Sequence, residues 1–126
     1  SYEEASDYKD AADTICTVHK KWNNGIILLW YPLLAHRENE INSMLSQITD
    51  SARSLNPNIE ISNLQLQVFD KDAHKEVTLN ELRSQSQGDK KIPPRLYGSG
   101  ILVLNSPWKL EEEADKAISF ICHSRT

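Results

Sequence analysis

Basic side chains occur at two places in the chain where contact with phosphate would be chemically reasonable. His36 and Arg37 come directly before a helical pattern, and the amino end of a helix attracts anions because its first N–H groups lack partners. Lys90, Lys91 and Arg95 form a second basic group. Such contacts position a nucleic acid without reading its sequence. A solvated helix start and a solvated charge run remain the alternative interpretations.

The spacing of the cysteines, histidines and glycines predicts neither a metal site nor a glycine-rich nucleotide-binding loop. Cys16 and Cys122 lie in apolar patterns with no cysteine or histidine at the spacing of metal ligands, which favours reduced thiols in the cytoplasm. His19, His74 and His123 follow no ligand pattern either. None of the four glycines lies in a G-x-G-x-x-G sequence. No metal and no glycine-rich cofactor loop are therefore expected in this chain.

The composition is that of one globular domain. The chain has 126 residues, of which 39% are hydrophobic and 25% charged. Its longest apolar run, residues 26–34, is too short for a bilayer and contains a proline, and no signal peptide is visible. The net charge of −4 counts against a dedicated nucleic-acid-binding module, but less against half of an enzyme whose basic surface lies elsewhere.

The first half of the chain predicts two helices on either side of a strand. Apolar residues at helical spacing predict a helix over residues 7–22, capped by Ser6 or Asp7. The continuous apolar run 26–31 is typical of a central parallel strand covered on both faces, and Pro32 is expected to end it. A second amphipathic helix is predicted over residues 38–55, with an apolar stripe that ends at Leu55.

The second half predicts two strands and a closing helix. Alternation predicts a strand over residues 59–69. Residues 70–97 are polar and are expected to form a long excursion with a short helix near 79–85. Residues 101–104 form a second compact strand, and apolar residues from Leu110 to Ile121 mark the last helix. This order predicts a layered α/β sheet. Three strands are few for such a sheet, so further strands are expected upstream, with exposed apolar sheet surface where they would pair.

Three stretches of the sequence resemble the RlmJ family, bacterial adenine N6-methyltransferases of large-subunit ribosomal RNA that were once described as DNA-catabolism proteins. Ser1-Tyr2-Glu3 resembles the tail of the family's Asp-Pro-Pro-Tyr-Glu. Trp30-Tyr31-Pro32 resembles its Trp-Tyr-Pro strand. Residues 97–108 resemble its Gly-Ser-Gly to Asn-Pro-Pro-Trp strand. Ser1 and Ser106 stand where the family has proline, and residues 70–97 resemble the family least.

The resemblance implies a Rossmann-like class I methyltransferase fold, a mixed sheet whose last strand is antiparallel. Residues 1–126 would be its carboxyl-terminal half, with 70–97 as an excursion between the last two strands. S-adenosylmethionine would be the cofactor, bound mainly by an amino-terminal half. Ribosomal RNA would be the partner of a cytoplasmic, monomeric full-length protein. This half alone is expected to be inactive.

The resemblance also assigns roles to residues, since open α/β sheets bind ligands at the carboxyl ends of their parallel strands. Tyr2 would stack on an adenine flipped out of its helix, and Ser1 would replace a proline of the catalytic turn. The expected substrate-binding residues are Trp30, Tyr31, His36, Arg37, Lys90, Lys91, Arg95, Tyr97, Gly98, Ser99 and Gly100. Core packing remains the alternative for the aromatic residues, and a simple bend for the glycines. Asn105 to Trp108 would lie at the opposite edge with a structural role.

Other functions remain open at this stage. DNA could replace RNA as the substrate, either for an adenine methyltransferase or for a DNA-utilisation protein of the same fold, because nothing in these residues locates contacts to a 2′-hydroxyl. A non-catalytic α/β interaction domain is the alternative from another class, favoured by Ser1 and by the acidic charge.

Overall fold

The computed structural model describes the backbone of residues 2–68 and 96–124, and the side chains of residues 2–68 and 96–119. In chain order the elements are helix α1 (Ala5–Lys21), strand β1 (Ile27–Leu34), a short 3-10 helix (Ala35–Arg37), helix α2 (Glu38–Leu55), strand β2 (Ile61–Gln67), strand β3 (Leu96–Leu104) and helix α3 (Leu110–Ser124). Ser1, the predicted helix near 79–85, Lys90, Lys91 and Arg95 lie outside the described residues.

The three strands form one sheet in the order β1-β3-β2. Strand β3 is antiparallel to both neighbours, as expected for the last strand, so β1 and β2 run in the same direction without touching. Leu33 of β1 and Gln67 of β2 both lie opposite Gly98. The carboxyl ends of β1 and β2 and the beginning of β3 therefore meet at one edge, which we call the carboxyl edge. The prediction that β1 is a central strand is wrong for the described sheet, where it lies at the side.

The core lies between one face of this sheet and helices α1 and α2. Tyr8 and Ala12 of α1 are buried there, as are Ile41, Met44, Ile48 and Ala52 of α2. The bounds predicted for α2 are confirmed, but Leu55 at its end is 47% exposed and does not continue the buried stripe. Burial of this stripe stabilises α2, because amphipathic helices derive most of their stability from packing.

Helix α1 begins two residues earlier than predicted. Its N-cap is Glu4, and Ser6 lies within the helix. The carboxylate of Asp7 accepts hydrogen bonds from the backbone N–H groups of Glu3 and Glu4, at 2.9 and 2.8 Å. Asp7, at the third position of the helix, thus accepts hydrogen bonds from free N–H groups that precede it. A side chain that reaches back to the N-cap in this way is one of the two contacts of a capping box.

Pro32 does not end β1, contrary to the prediction. The strand continues to Leu34, with Pro32 opposite Ser99. Proline cannot donate a hydrogen bond, so it is tolerated at the side of a sheet, where its nitrogen needs no partner. Because the strand is longer, Trp30 and Tyr31 lie within it and not at its end.

The second face of the sheet is only partly covered. Val103 and Ser62 are buried on it, near α3. Farther along, Leu28 is 65% exposed and Trp30 54%. We call this part the open face, defined by Leu28, Trp30, Leu64, Leu66 and Ile101, which the register places on one side of the sheet. Apolar side chains are therefore exposed on this face, while the pairing of further strands with the sheet stays a prediction.

The turn after β3 connects the segments that precede β1 and β2 at the edge of the sheet opposite the carboxyl edge. Asn105, at a positive φ of 56°, donates from its side-chain nitrogen to the carbonyls of Asn23 and Gly25, both at 2.8 Å. The backbone N–H of Ser106 donates to the Glu60 carbonyl at 3.0 Å, a bond that proline could not make. The Ser106 and Ser62 hydroxyls are 2.6 Å apart. These contacts support a structural role for this segment.

Candidate substrate-binding site

Tyr2 is held beside the middle of β1 by its hydroxyl group. That hydroxyl donates a hydrogen bond to the backbone carbonyl of Trp30 at 2.8 Å. The ring centroid of Tyr2 lies 5.0 Å from that of Tyr8 and 6.2 Å from that of Trp30, both in tilted arrangements. Burial raises the pKa of Tyr2, so the hydroxyl stays neutral and able to donate. The ring is only partly buried, and its orientation is fixed.

An apolar cleft at the carboxyl edge collects several of the predicted residues. It has a volume of about 360 Å³ and is lined by Trp30, Val68, Leu96, Tyr97, Gly98 and Ser99. A β-bulge shapes it. Leu33 lies opposite Gly98 and Leu34 opposite Leu96, which leaves Tyr97 without a partner on β1. The Tyr97 carbonyl instead accepts a hydrogen bond from Val68 N at 2.8 Å. Bulges re-aim side chains next to functional sites.

Tyr31 and Gly100 lie on the other face of the sheet and pack against each other. Tyr31 is fully buried, and its hydroxyl donates to Asn63 Oδ1 and accepts from Gln65 Nε2 at 2.9 Å. A Cβ atom on Gly100 would lie 2.6 Å from Cε2 of the Tyr31 ring. Gly100 is therefore explained by the ring that covers it. The expected substrate contact of these two residues is not supported by their position.

Gly98 also has a packing reason. A Cβ atom there would lie 2.9 Å from the Gln67 Cα atom, so glycine lets β2 approach β3 closely. Gly98 still contributes to the wall of the apolar cleft, where its lack of a side chain keeps the surface flat. Of the predicted group at the start of β3, residues 97–99 reach the cleft and Gly100 does not.

Arg37 is paired and partly buried instead of fully solvated. Its Nη1 atom lies 3.4 Å from Glu40 Oε1, and its Nε atom is buried with no partner among the described residues. His36 is exposed beside it. Arg37 acts electrostatically on Tyr8, whose ring contacts Tyr2. The two basic residues thus follow the end of β1, at the carboxyl edge as expected.

Tyr8 of α1 is a buried neighbour of Tyr2 that the residue pattern alone does not place near the site. The residue is 1% exposed, and its hydroxyl has no partner among the described residues. Burial raises the pKa of Tyr8 to about 12, against an opposing effect of the Arg37 cation. Because Tyr8 supports the ring of Tyr2 from below, its packing contributes to the orientation of that ring.

The Tyr8→Phe variant is expected to be at least as stable as the wild type at pH 7, by up to about 1 kcal/mol, because it removes a buried hydroxyl without a partner. A raised pKa favours the neutral form in the folded state, so titration of Tyr8 leaves the stability of the wild type unchanged below pH 10 and lowers it as the pH rises towards about 12. Urea unfolding across this interval should show a shallower decline in Tyr8→Phe. Parallel curves for the two proteins would contradict the assignment.

A second and larger cleft lies at the opposite edge of the sheet. It has a volume of about 760 Å³, and its lining includes Glu60, Glu111, Glu112 and Asp115. Trp108 is 85% exposed at this cleft, and Lys109 Nζ lies 4.3 Å from its ring centroid. Carboxylates repel phosphate, so the size of this cleft does not make it a nucleic-acid site. The candidate site is the smaller, apolar cleft that Trp30 lines, together with Tyr2, whose ring neighbours that of Trp30.

Comparison with known proteins identifies the family. A family model described as ribosomal RNA large subunit methyltransferase D, RlmJ, matches residues 1–125. The chain belongs to the RlmJ family. Membership implies methyltransferase activity on large-subunit ribosomal RNA, with S-adenosylmethionine as the methyl donor. A search of the curated proteins finds no match to the chain.

The cleft at the carboxyl edge does not fit the methyl donor that the family implies. Among the described residues that line it, none has a carboxylate that could bind ribose hydroxyls. Within residues 2–68 and 96–119, whose side chains are described, no three His, Cys, Asp or Glu side chains gather to hold a metal ion. Among the helices described, none is long and apolar enough to cross a membrane.

Proposed function

We propose that this chain is the carboxyl-terminal half of a class I methyltransferase domain that methylates the N6 atom of an adenine in large-subunit ribosomal RNA. The strand order β1-β3-β2, with an antiparallel β3 between two strands of equal direction, supports this fold. The open face supports a half-domain, because an apolar surface of this kind requires cover from another part of the protein. S-adenosylmethionine would bind mainly outside the described residues.

The observation that carries the proposal is the fixed ring of Tyr2. The residue matches the tyrosine of the family's Asp-Pro-Pro-Tyr-Glu, and its hydroxyl bond to the Trp30 carbonyl orients the ring beside Trp30, which itself lines the apolar cleft. An exocyclic amine can be modified only after its base leaves the helical stack, and an aromatic ring then replaces the lost stacking. Tyr2 would bind the flipped adenine in this way, and Ser1 would lie in the turn that presents the amine.

Tyr2 and Ser1 would accelerate methyl transfer mainly by holding the adenine in position. A base held at a fixed angle brings its N6 atom within reach of a methyl donor without a further loss of rotational freedom. His36 and Arg37 follow the end of β1, and Lys90, Lys91 and Arg95 are proposed to contact phosphate groups of the same RNA. An enzyme acting on ribosomal RNA would work in the cytoplasm, and we propose that it does so as a monomer.

The test is methyl transfer by the full-length protein. Unmodified large-subunit ribosomal RNA and an adenine-containing DNA duplex are each incubated with labelled S-adenosylmethionine, and the nucleosides are then separated. Label in N6-methyladenosine from the RNA alone is the expected result. Label in the DNA alone would favour the DNA alternative. Absence of label from both substrates, in a protein that still binds them, would favour a non-catalytic interaction domain.

A further inference from the structure

Trp30 presents an exposed aromatic surface that the stacking role proposed for Tyr2 does not use. The indole is 54% exposed on the open face and forms one wall of the apolar cleft. Its ring centroid lies 6.2 Å from that of Tyr2, and its carbonyl accepts the hydrogen bond that orients Tyr2. The two aromatic rings are thus neighbours that present separate surfaces. Tyr2 lies between Tyr8 and Trp30, whereas Trp30 faces the cleft.

The chemistry of the cleft selects a flat, apolar ligand. Its walls are the side chains of Val68 and Leu96 and the bare backbone of Gly98, and Ser99 supplies a hydroxyl. Among the described residues that line the cleft, none is acidic or basic, so these residues offer no charged group to a phosphate. Its volume of about 360 Å³ lies at the small end of the range of ligand pockets, about 300–1,000 Å³. A single aromatic ring system suits such a space.

A flipped adenine creates a ligand of this kind. When the target base leaves its stack, the neighbouring base in the same strand loses a stacking partner and exposes an apolar face. We propose that Trp30 stacks on this neighbouring base and that the cleft of Trp30, Val68, Leu96 and residues 97–99 receives it. The inference rests on the proposed function and adds a second base-binding position to it. Stacking of this kind tolerates different bases, because every base has an aromatic face.

Leu28 provides a matched control for this proposal. It lies two residues before Trp30 in β1, on the same open face, and is 65% exposed. Unlike Trp30, it does not line the cleft and is farther from the carboxyl edge. If the open face served only to contact another part of the protein, the loss of either side chain would have similar effects. If Trp30 binds a base, only its loss would affect RNA.

The experiment uses the full-length protein and RNA hairpins that contain the target adenine found by labelling, with 2-aminopurine placed on either side of it. Binding to the wild type should quench 2-aminopurine at one of the two positions. Trp30→Ala should abolish the quenching and raise KM for the RNA by about 5- to 150-fold, with kcat changed much less. Trp30→Phe should restore part of the affinity, and Leu28→Ala should match the wild type.

Three results would overturn the inference. Equal increases in KM for Leu28→Ala and Trp30→Ala would assign Trp30 to contacts within the protein. An unchanged KM and intact quenching in Trp30→Ala, while methylation proceeds, would remove the second base-binding position and leave the proposed function in place. Loss of kcat alone would make Trp30 a support for Tyr2. Failure of the wild type to methylate adenine, seen already in the labelling experiment that selects the hairpins, would instead reject the proposed function and with it the inference that rests on it.

Discussion

Replacing Gly100 with alanine is expected to lower the free energy of unfolding by about 3 kcal/mol, the largest stability change among the variants considered. The new Cβ atom would lie 2.6 Å from Cε2 of Tyr31, whose ring covers the glycine. Tyr31 cannot move aside, because it is fully buried and its hydroxyl is bonded to Asn63 and Gln65. Overpacking a rigid core in this way costs about 1–3 kcal/mol and occasionally more. The measurement is the midpoint of urea unfolding.

Gly25 offers the control for Gly100. A Cβ atom there would lie 3.4 Å from the Trp22 carbonyl oxygen, a tight but much less severe contact. Gly25→Ala should therefore change the free energy of unfolding by less than about 1 kcal/mol. A smaller side chain at position 31 should relieve the clash, so Tyr31→Leu combined with Gly100→Ala should cost less than the sum of the single changes. Equal effects of the two glycine substitutions would reject the packing of Tyr31 on Gly100.

Replacing Tyr2 with alanine is expected to lower kcat/KM for methylation by about tenfold or more. Stacking of one base on an aromatic side chain contributes about 1–3 kcal/mol, and this contribution would be lost. Tyr2→Phe keeps the ring and loses only the hydrogen bond to the Trp30 carbonyl, so its cost should be near 1 kcal/mol. The assay is methyl transfer to the ribosomal RNA hairpin under subsaturating conditions.

Tyr2→Leu separates stacking from packing. Leucine can still contact the Tyr8 ring, which lies 5.0 Å from the ring of Tyr2, but it has no aromatic face for a base. If Tyr2 stacks on adenine, Leu should be nearly as damaging as Ala. Recovery of activity in Tyr2→Leu would mean that the residue only fills space beside Tyr8. Wild-type kcat/KM in Tyr2→Ala would remove the residue from the site altogether.

The sequence predicted α2 more accurately than β1 for a physical reason. The stripe of Ile41, Met44 and Ile48 recurs at helical spacing and the helix ends just before a proline, so both the type and the bounds of α2 are encoded locally. The apolar run of β1 was taken as evidence of burial on both faces. In the described structure the side chains of Leu28 and Trp30 are exposed. The prediction fails because the hydrophobicity of a strand does not reveal which neighbouring elements cover its two faces.

The candidate site was only partly predictable. The resemblance supplied Tyr2, Trp30 and residues 97–99, but it could not show that Val68 and Leu96 complete the same cleft. Their proximity depends on the bulge at Tyr97 and on strand register, which are long-range properties. The sequence also left Gly100 open between substrate contact and a simple bend. The structure adds a third reason for glycine there, the packing of the Tyr31 ring, which comes from a distant part of the chain.

The central position of β3 in the sheet affects how the chain can fold during translation. Ile27 of β1 and Ile61 of β2 both lie opposite Leu104, so the two earlier strands are joined only through the last one. During translation, β1 and β2 leave the exit tunnel well before β3 and have no partner strand among the described residues until it follows. Nascent chains halted before Leu104 should therefore remain open to proteases and chaperones, and protection should arise late and in a single step.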